Sequence, residues 1–250
     1  MSTITETTVS AEPWDRDTLL LKLRQVGMSR YHHLHPFHAH MNAGRLTPNQ
    51  VRGWIANRFY YQCNIPIKDA AILSNCPVRE VRRQWLHRIV DHDGQKQGEG
   101  GIEAWLRMAE AAGMTRSDVL DGGQILPGVR FAVDAYVNFC RSKPWPIAIA
   151  SSMTELFAPD LMGERLAAFE KYYPWVAPWG LDYFRTRVTQ ARVDSTEGFE
   201  LTVTYCNSRA LQEEAVRALS FKCDLLWAML DTMMLAYGSG YGVPDTSTGI

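Results

Sequence analysis

Apolar residues recur at helical spacing from about Asp15 to Tyr237, while hairpin dipeptides flanked by alternating apolar positions are missing. The pattern predicts an all-α fold. The stretch 209–237 is the most periodic, with Leu219, Cys223, Leu226, Leu230, Met233 and Tyr237 in alternating steps of four and three, as expected of a central core helix. Leu46-Thr47-Pro48-Asn49-Gln50 is the clearest helix start: Thr47 caps, Pro48 suits the first helical position, and Gln50 completes a capping box. That helix is expected to end near Asn64, because Pro66 cannot donate the hydrogen bond that would continue it. Further helices are expected near 16–27, 78–92, 101–113, 128–142, 148–157 and 179–206, with GEGG at 98–101 as a loop. No fixed-period repeat, low-complexity tract or linker divides the chain. The expectation is one helical domain, 15–238, between a flexible N-terminus, 1–14, and a flexible tail, 239–250, rich in Gly, Ser, Thr and Pro.

Several of these helices carry ionisable groups on the face that holds their core residues. Val51, Trp54 and Ile55 define an inward stripe that Arg58 continues, with Tyr61 and Gln62 on the next turn. Val81, Trp85 and Ile89 share a face with Arg88 and His92. Tyr183 and Arg187 flank Phe184 and Val188, Lys222 lies between Leu219 and Leu226, and Tyr136 sits with Val133 and Val137. A buried charge must be paired, neutralised or given a ligand. Glu155, Asp91, Asp93 and Asp224 are candidate internal partners, which leaves a set of structural ion pairs as the plain alternative. The same set of Arg, Lys, Tyr, Gln and His also suits a ligand with several carboxylates and an oxygenated ring, since guanidinium binds carboxylate bidentately.

Composition narrows the classes. Hydrophobic residues at 46% and charged residues at 21% describe a globular chain with a packed core. The 26 basic residues nearly cancel the 27 acidic ones, so no overall field steers the molecule onto nucleic acid or an anionic membrane. The start of the chain lacks a signal-peptide pattern and no apolar run reaches the ~18 residues of a membrane helix, so a cytoplasmic protein is expected. Five widely spaced cysteines without a CxxC pair suggest free thiols. Five of the seven histidines fall between His32 and His40. No ExxH or HExxH motif accompanies them, so they are expected to be caps, surface residues and one or two site residues, not metal ligands. His92, in Asp91-His92-Asp93-Gly94, is the better candidate for proton transfer. Phosphate-binding glycine motifs and GxSxG are missing.

Longer segments carry a resemblance. NRFYYQ at 57–62, NIPIKDAAIL at 64–73, DHDG at 91–94, GIEAWL at 101–106, LPGVRFAVDAYVNF at 126–139, TELFAP at 154–159 and YPWVAPWGLDYFRTR at 173–187 are similar to the pyrroloquinoline-quinone synthase family over roughly 15–240. The resemblance implies a seven-helix, haem-oxygenase-like bundle, a homodimer, and no haem, metal or organic cofactor. It implies the final step of pyrroloquinoline quinone formation, in which a tetrahydro-quinoline-dione amino-acid precursor is ring-closed and oxidised by dioxygen as co-substrate, with release of hydrogen peroxide. His92, Tyr183, Arg187, His32 and Lys222 match catalytic positions of the family, and Tyr31, Arg58, Tyr61, Gln62, Lys68, Arg88, Tyr136, Thr154, Glu155 and Arg165 match substrate-binding positions. Met162 departs, standing where members carry a histidine three residues before the arginine matched by Arg165. A non-catalytic quinone carrier and a di-iron oxygenase of the same bundle type are the alternatives.

Overall fold

The computed structural model describes residues 12–238, with the side chains of 192 and 193 set aside. The termini expected to be flexible lie outside the described residues, except for residues 12–14. In chain order the α-helices are α1 (Arg16–Arg30), α2 (Pro36–Asn42), α3 (Pro48–Asn75), α4 (Arg79–Trp85), α5 (His87–Asp93), α6 (Gly100–Ala111), α7 (Arg116–Asp121), α8 (Pro127–Ser142), α9 (Trp145–Ser151), α10 (Ala158–Tyr172), α11 (Asp182–Tyr205) and α12 (Arg209–Tyr237). Short 3-10 turns cover His32–Leu34, Ser152–Leu156 and Pro178–Leu181. No strand occurs among the described residues, and no helix there is long and apolar enough to cross a membrane. The all-α expectation holds.

The capping box at α3 forms as its sequence requires. The Gln50 N–H donates to Thr47 Oγ1 at 3.3 Å and the Thr47 N–H to Gln50 Oε1 at 2.8 Å. The expected stop before Pro66 is wrong: α3 runs on to Asn75. Proline removes one helical hydrogen bond, but Lys68, Asp69, Ala71 and Ile72 beyond it are buried, and α3 packs against α5, α6 and α8. Tertiary burial outweighs the local break. The stretch expected at 78–92 divides at Leu86 into α4 and α5. The loop expected at 98–101 yields to α6 from Gly100. Helices α2, α7 and α10 lie outside the expected set; in α10 the buried Arg165 interrupts the apolar stripe of Leu161, Ala168 and Phe169, which blurs the period.

The predicted core helix is confirmed. Leu219, Cys223, Leu226, Leu230 and Met233 of α12 are buried, and α12 packs on α1, α8 and α9. Its end is fixed by close contact: a Cβ on Gly53 would stand 2.5 Å from Tyr237 Cζ, so glycine is required there. Asn57 Nδ2 donates to the Tyr237 hydroxyl at 2.9 Å, while its Oδ1 accepts the Leu126 N–H at 2.8 Å. One buried amide thus joins α3, α8 and α12. At the centre, Trp54, Trp105, Phe169 and Phe184 pack edge and face, a geometry favoured by the ring quadrupoles. The five cysteines are free, and burial raises the pKa of each, to about 11 for Cys63 and about 12 for Cys206 and Cys223.

Candidate active site

A cavity of about 70 Å³ lies among the helices. Helical periodicity sets its α3 wall, since Arg58, Tyr61, Ile65 and Lys68 recur every three or four residues. Helix α5 contributes His92, α8 Tyr136, and the turn after α9 Ser152, Thr154 and Glu155. Met162 comes from α10, Tyr183 and Arg187 from α11, Lys222 and Leu226 from α12, and Tyr31 and His32 from the segment between α1 and α2.

Three predicted site residues stand behind this wall. Gln62 donates from Nε2 to the Tyr183 hydroxyl at 2.9 Å. Arg88 grips Glu155 with both terminal nitrogens, at 2.6 and 2.7 Å. Arg165 lines a small neighbouring void with His32, His38, Trp54 and Arg58. The structure therefore brings the other twelve predicted residues onto one cavity, with Gln62 and Arg88 bonded to its lining and Arg165 on the adjoining void.

Six cations surround the site but only three acids serve them. Lys68 pairs with Asp69 at 2.6 Å, Arg88 with Glu155, and Arg187 with Asp194 at 3.0 Å. Burial alone would lower the pKa of Arg88, but Glu155 and Asp194 raise it; Arg187 is likewise raised, by Tyr183, Asp194 and Glu155 against burial. Arg58, Arg165 and Lys222 have no acid partner among the described residues. Arg58 lies over the Tyr61 ring at 4.0 Å. Lys222 donates to the Tyr61 hydroxyl at 2.6 Å and stands 3.3 Å above the Tyr136 ring centre. Burial, Lys68 and Arg58 push its pKa well below the ordinary value. Burial and Arg58 bring Arg165 down to about 10, and its Nε is buried without a hydrogen-bond partner.

Three buried histidines, His32, His38 and His92, have depressed pKa values. His92 donates from Nδ1 to the Arg88 carbonyl at 2.9 Å, which leaves the Nε2 lone pair available. Burial and then Arg187 lower its pKa to about 4. His38 donates from Nδ1 to the His32 carbonyl at 2.8 Å, so its Nε2 accepts the Arg165 guanidinium at 3.0 Å. Burial depresses both His32 and His38 well below the ordinary range; His38, Arg58 and Arg165 add to it for His32, and Arg165 and Arg58 for His38. His35 caps α2, its Nδ1 accepting the Phe37 N–H at 3.0 Å, and meets Asp231 at 2.9 Å through Nε2. Within the histidine-rich run, His35 is a helix cap and His32 lines the cavity.

The family-model comparison decides the kinship: the TENA/THI-4/PQQC family matches residues 21–232. The chain belongs to the TENA/THI-4/PQQC family. Similar TENA/THI-4/PQQC relatives are a pyrroloquinoline-quinone synthase of Pseudomonas aeruginosa (strain PAO1), 53% identical over 92% of this chain and 91% of its own, and one of Ectopseudomonas mendocina, 56% identical over 83% of each. A third, from Cronobacter sakazakii, is 54% identical over 83% of this chain and 82% of its own. Two solved structures show the fold alone. A TenA homolog from Pseudomonas syringae pv. tomato superposes with a TM-score of 0.71 at 15% identity, covering 88% of this chain and 92% of that one. A domain of unknown function with a heme oxygenase-like fold from Shewanella denitrificans gives 0.70 at 13% identity, covering 87% and 89%. The haem-oxygenase-like class expected from the sequence holds for this family member.

Sequence reasoning missed Asp69, Asp194, Ser152 and His38. Asp194 accepts from Arg187 and from His87, the latter at 3.1 Å, and burial would raise its pKa were Arg88 and Arg187 not lowering it. Its position seven residues after Arg187, two turns along one helix face, was the available signal. Ser152 accepts from Lys68 at 3.0 Å and meets the Tyr136 hydroxyl at 3.3 Å. Of the expected acids only Glu155 pairs with a site cation. Asp224 instead binds Arg30 on the surface at 2.7 Å, and Asp91 and Asp93 form no ion pair with the site cations among the described residues. His87, Asp91 and Asp194 bring one ligand atom each within 4.8 Å of one another, but none of the three lines the inner cavity.

Proposed function

We propose that this protein is a pyrroloquinoline-quinone synthase, the oxidase that closes and oxidises the tetrahydro-quinoline-dione amino-acid precursor with dioxygen and releases hydrogen peroxide. The observation that carries the reading is the convergence of twelve motif-matched residues on one cavity with three unpaired cations, in a chain 53–56% identical to proteins of that name. Arg58, Arg165 and Lys222 suit a ligand that brings its own carboxylates. A pocket of about 70 Å³ is far below the ~300 Å³ at which small-molecule sites begin. Helices or side chains must therefore shift on binding, and water leaves as they close.

His92 is the base of this reading. Its Nδ1–H is committed to the Arg88 carbonyl and its imidazole is neutral above pH about 4, so Nε2 accepts a proton from the bound precursor at neutral pH. The resulting electron-rich anion passes two electrons to dioxygen, which takes up two protons and leaves as peroxide. Arg187, held charged, and the Tyr183 hydroxyl, fed by Gln62, stabilise the oxygen anion on the way. Tyr31, Tyr61 and Tyr136, whose pKa values burial raises, remain phenols able to donate to quinone oxygens. The reading includes operation without metal or organic cofactor, a cytoplasmic location and a homodimer; these rest on the family resemblance.

The test is oxygen uptake and peroxide release by metal-stripped protein given the ring-open precursor, with quinone absorbance recorded in parallel. Turnover is expected without metal, and His92→Ala should bind the precursor but stall. Tight binding with no oxygen consumption by the unmodified protein would make it a carrier, and recovery only with iron would make it a di-iron oxygenase.

A further inference from the structure

A second, larger cavity adjoins the first. This outer cleft, of about 440 Å³, lies between the start of α6 and the first turns of α11, with Asp182 and Thr186 on its exposed rim. Tyr183 and Arg187 line both cavities. Gly101 lines the outer cleft and backs onto two residues of the inner lining: a Cβ there would lie 3.4 Å from His92 Cδ2 and 3.5 Å from Tyr183 Cε2. The cleft thus reaches Tyr183 directly and His92 across the Gly101 backbone. The approach of α6 depends on a tight loop: Gly100 has φ +89°, and a Cβ there would fall 2.5 Å from the Gly94 nitrogen and 2.6 Å from the His92 carbonyl oxygen. Only glycine fits that point.

The cleft is poorly built to hold a polycarboxylate. Of its two arginines, Arg107 donates to the Gly98 carbonyl at 2.9 Å and pairs with Glu103 at 3.5 Å. Arg187 is fixed by Asp194 at 3.0 Å and Gln190 at 3.3 Å. Asp91, Glu99 and Asp182 add negative charge to the lining. A diatomic molecule needs neither cations nor a shaped pocket, only an opening near the reacting atoms. Once the helices close on a quinone, that ligand fills the inner cavity and blocks its own path of entry, while oxygen must still arrive.

Resting on the function proposed above, we infer that the outer cleft is the passage through which dioxygen enters, and peroxide leaves, the His92–Tyr183 side of the closed site, with Gly101 as its threshold. Replacing Gly101 by Ala places a methyl group in ordinary van der Waals contact and is tolerated; Val fills the threshold. Ala104→Trp, one turn further along α6 and lining the cleft, narrows the passage from outside.

The experiment is oxygen-electrode kinetics at saturating precursor on Gly101→Ala, Gly101→Val and Ala104→Trp, with thermal melting to verify folding and quinone-product binding measured separately. Gly101→Val and Ala104→Trp should lower kcat/KM for dioxygen roughly fivefold or more while product affinity stays within about twofold. Unchanged oxygen kinetics in a folded Ala104→Trp protein would overturn the passage. A fall confined to kcat/KM for the precursor would also overturn it, making the cleft the ligand's own door. If the unmodified protein consumes no oxygen, the functional reading itself fails, an outcome distinct from either.

Discussion

The two sides of the inner cavity handle buried charge in opposite ways. On the α5–α11 side, Arg88 and Arg187 are locked to Glu155 and Asp194, and the Arg88 carbonyl fixes the His92 tautomer. On the α3–α12 side, Lys68 has Asp69, but Arg58 and Lys222 rest on tyrosine rings, and the adjoining Arg165 of α10 leans on a neutral histidine. The first side is complete without a ligand; the second is not. Buried pairs set positions, whereas cations left with neutral partners hold their electrostatic attraction for an anion that arrives later. The depressed pKa values of Lys222 and Arg165 express the cost of that waiting state.

The largest expected effect breaks the paired side. Arg88→Met leaves Glu155 without its cation and the Asp194 carbonyl without its donor, and should destabilise the fold by about 3–5 kcal/mol, read as a fall in denaturant midpoint. A loss below about 1 kcal/mol would mean that Glu155 finds another partner, and the contrast between the two sides would collapse. Next, Arg58→Met and Lys222→Met should leave stability unchanged or raised, yet each should weaken product binding by about 1.5–3 kcal/mol, the worth of a hydrogen bond to a charged group. Titration calorimetry in buffers of different ionisation enthalpy sharpens this. Because a bound carboxylate raises the depressed pKa of Lys222, binding should take up protons, and weaken as pH rises, between the free and bound pKa values, and Lys222→Met should lose that coupling.

The smallest effect is thermodynamic. His92 has its folded pKa depressed from 6.5 to about 4, so the unfolded chain binds the proton first. Its contribution to stability is complete above pH 6.5 and is lost as pH falls toward about 4. At pH 5.5 the loss is about 1 kcal/mol. His92→Gln should flatten the slope of melting temperature against pH in that window, and an unchanged slope would show that His92 is not buried neutral.

Much of the fold was legible because apolar periodicity survives wherever the polar face is solvated, as on α12. It failed where burial made local rules secondary. Pro66 predicts a stop, but a helix clamped by α5, α6 and α8 tolerates one missing bond. Helix α10 escaped notice because its apolar stripe contains a buried guanidinium. The cations of the site were visible as charges on core faces. Their acids were harder to find: Asp69 adjoins Lys68 in sequence, a spacing that does not advertise a pair on a helix, and Asp194 lies in a polar stretch of α11 whose burial depends on α5.

The state of the sulfur atoms bears on how the protein would withstand the peroxide of the proposed reaction. All five thiols have raised pKa values, so each is overwhelmingly protonated at neutral pH, and the reaction of cysteine with peroxide proceeds through the thiolate. In the proposed reaction, which releases peroxide inside the bundle, burial would therefore keep the cysteines out of the form that reacts with it.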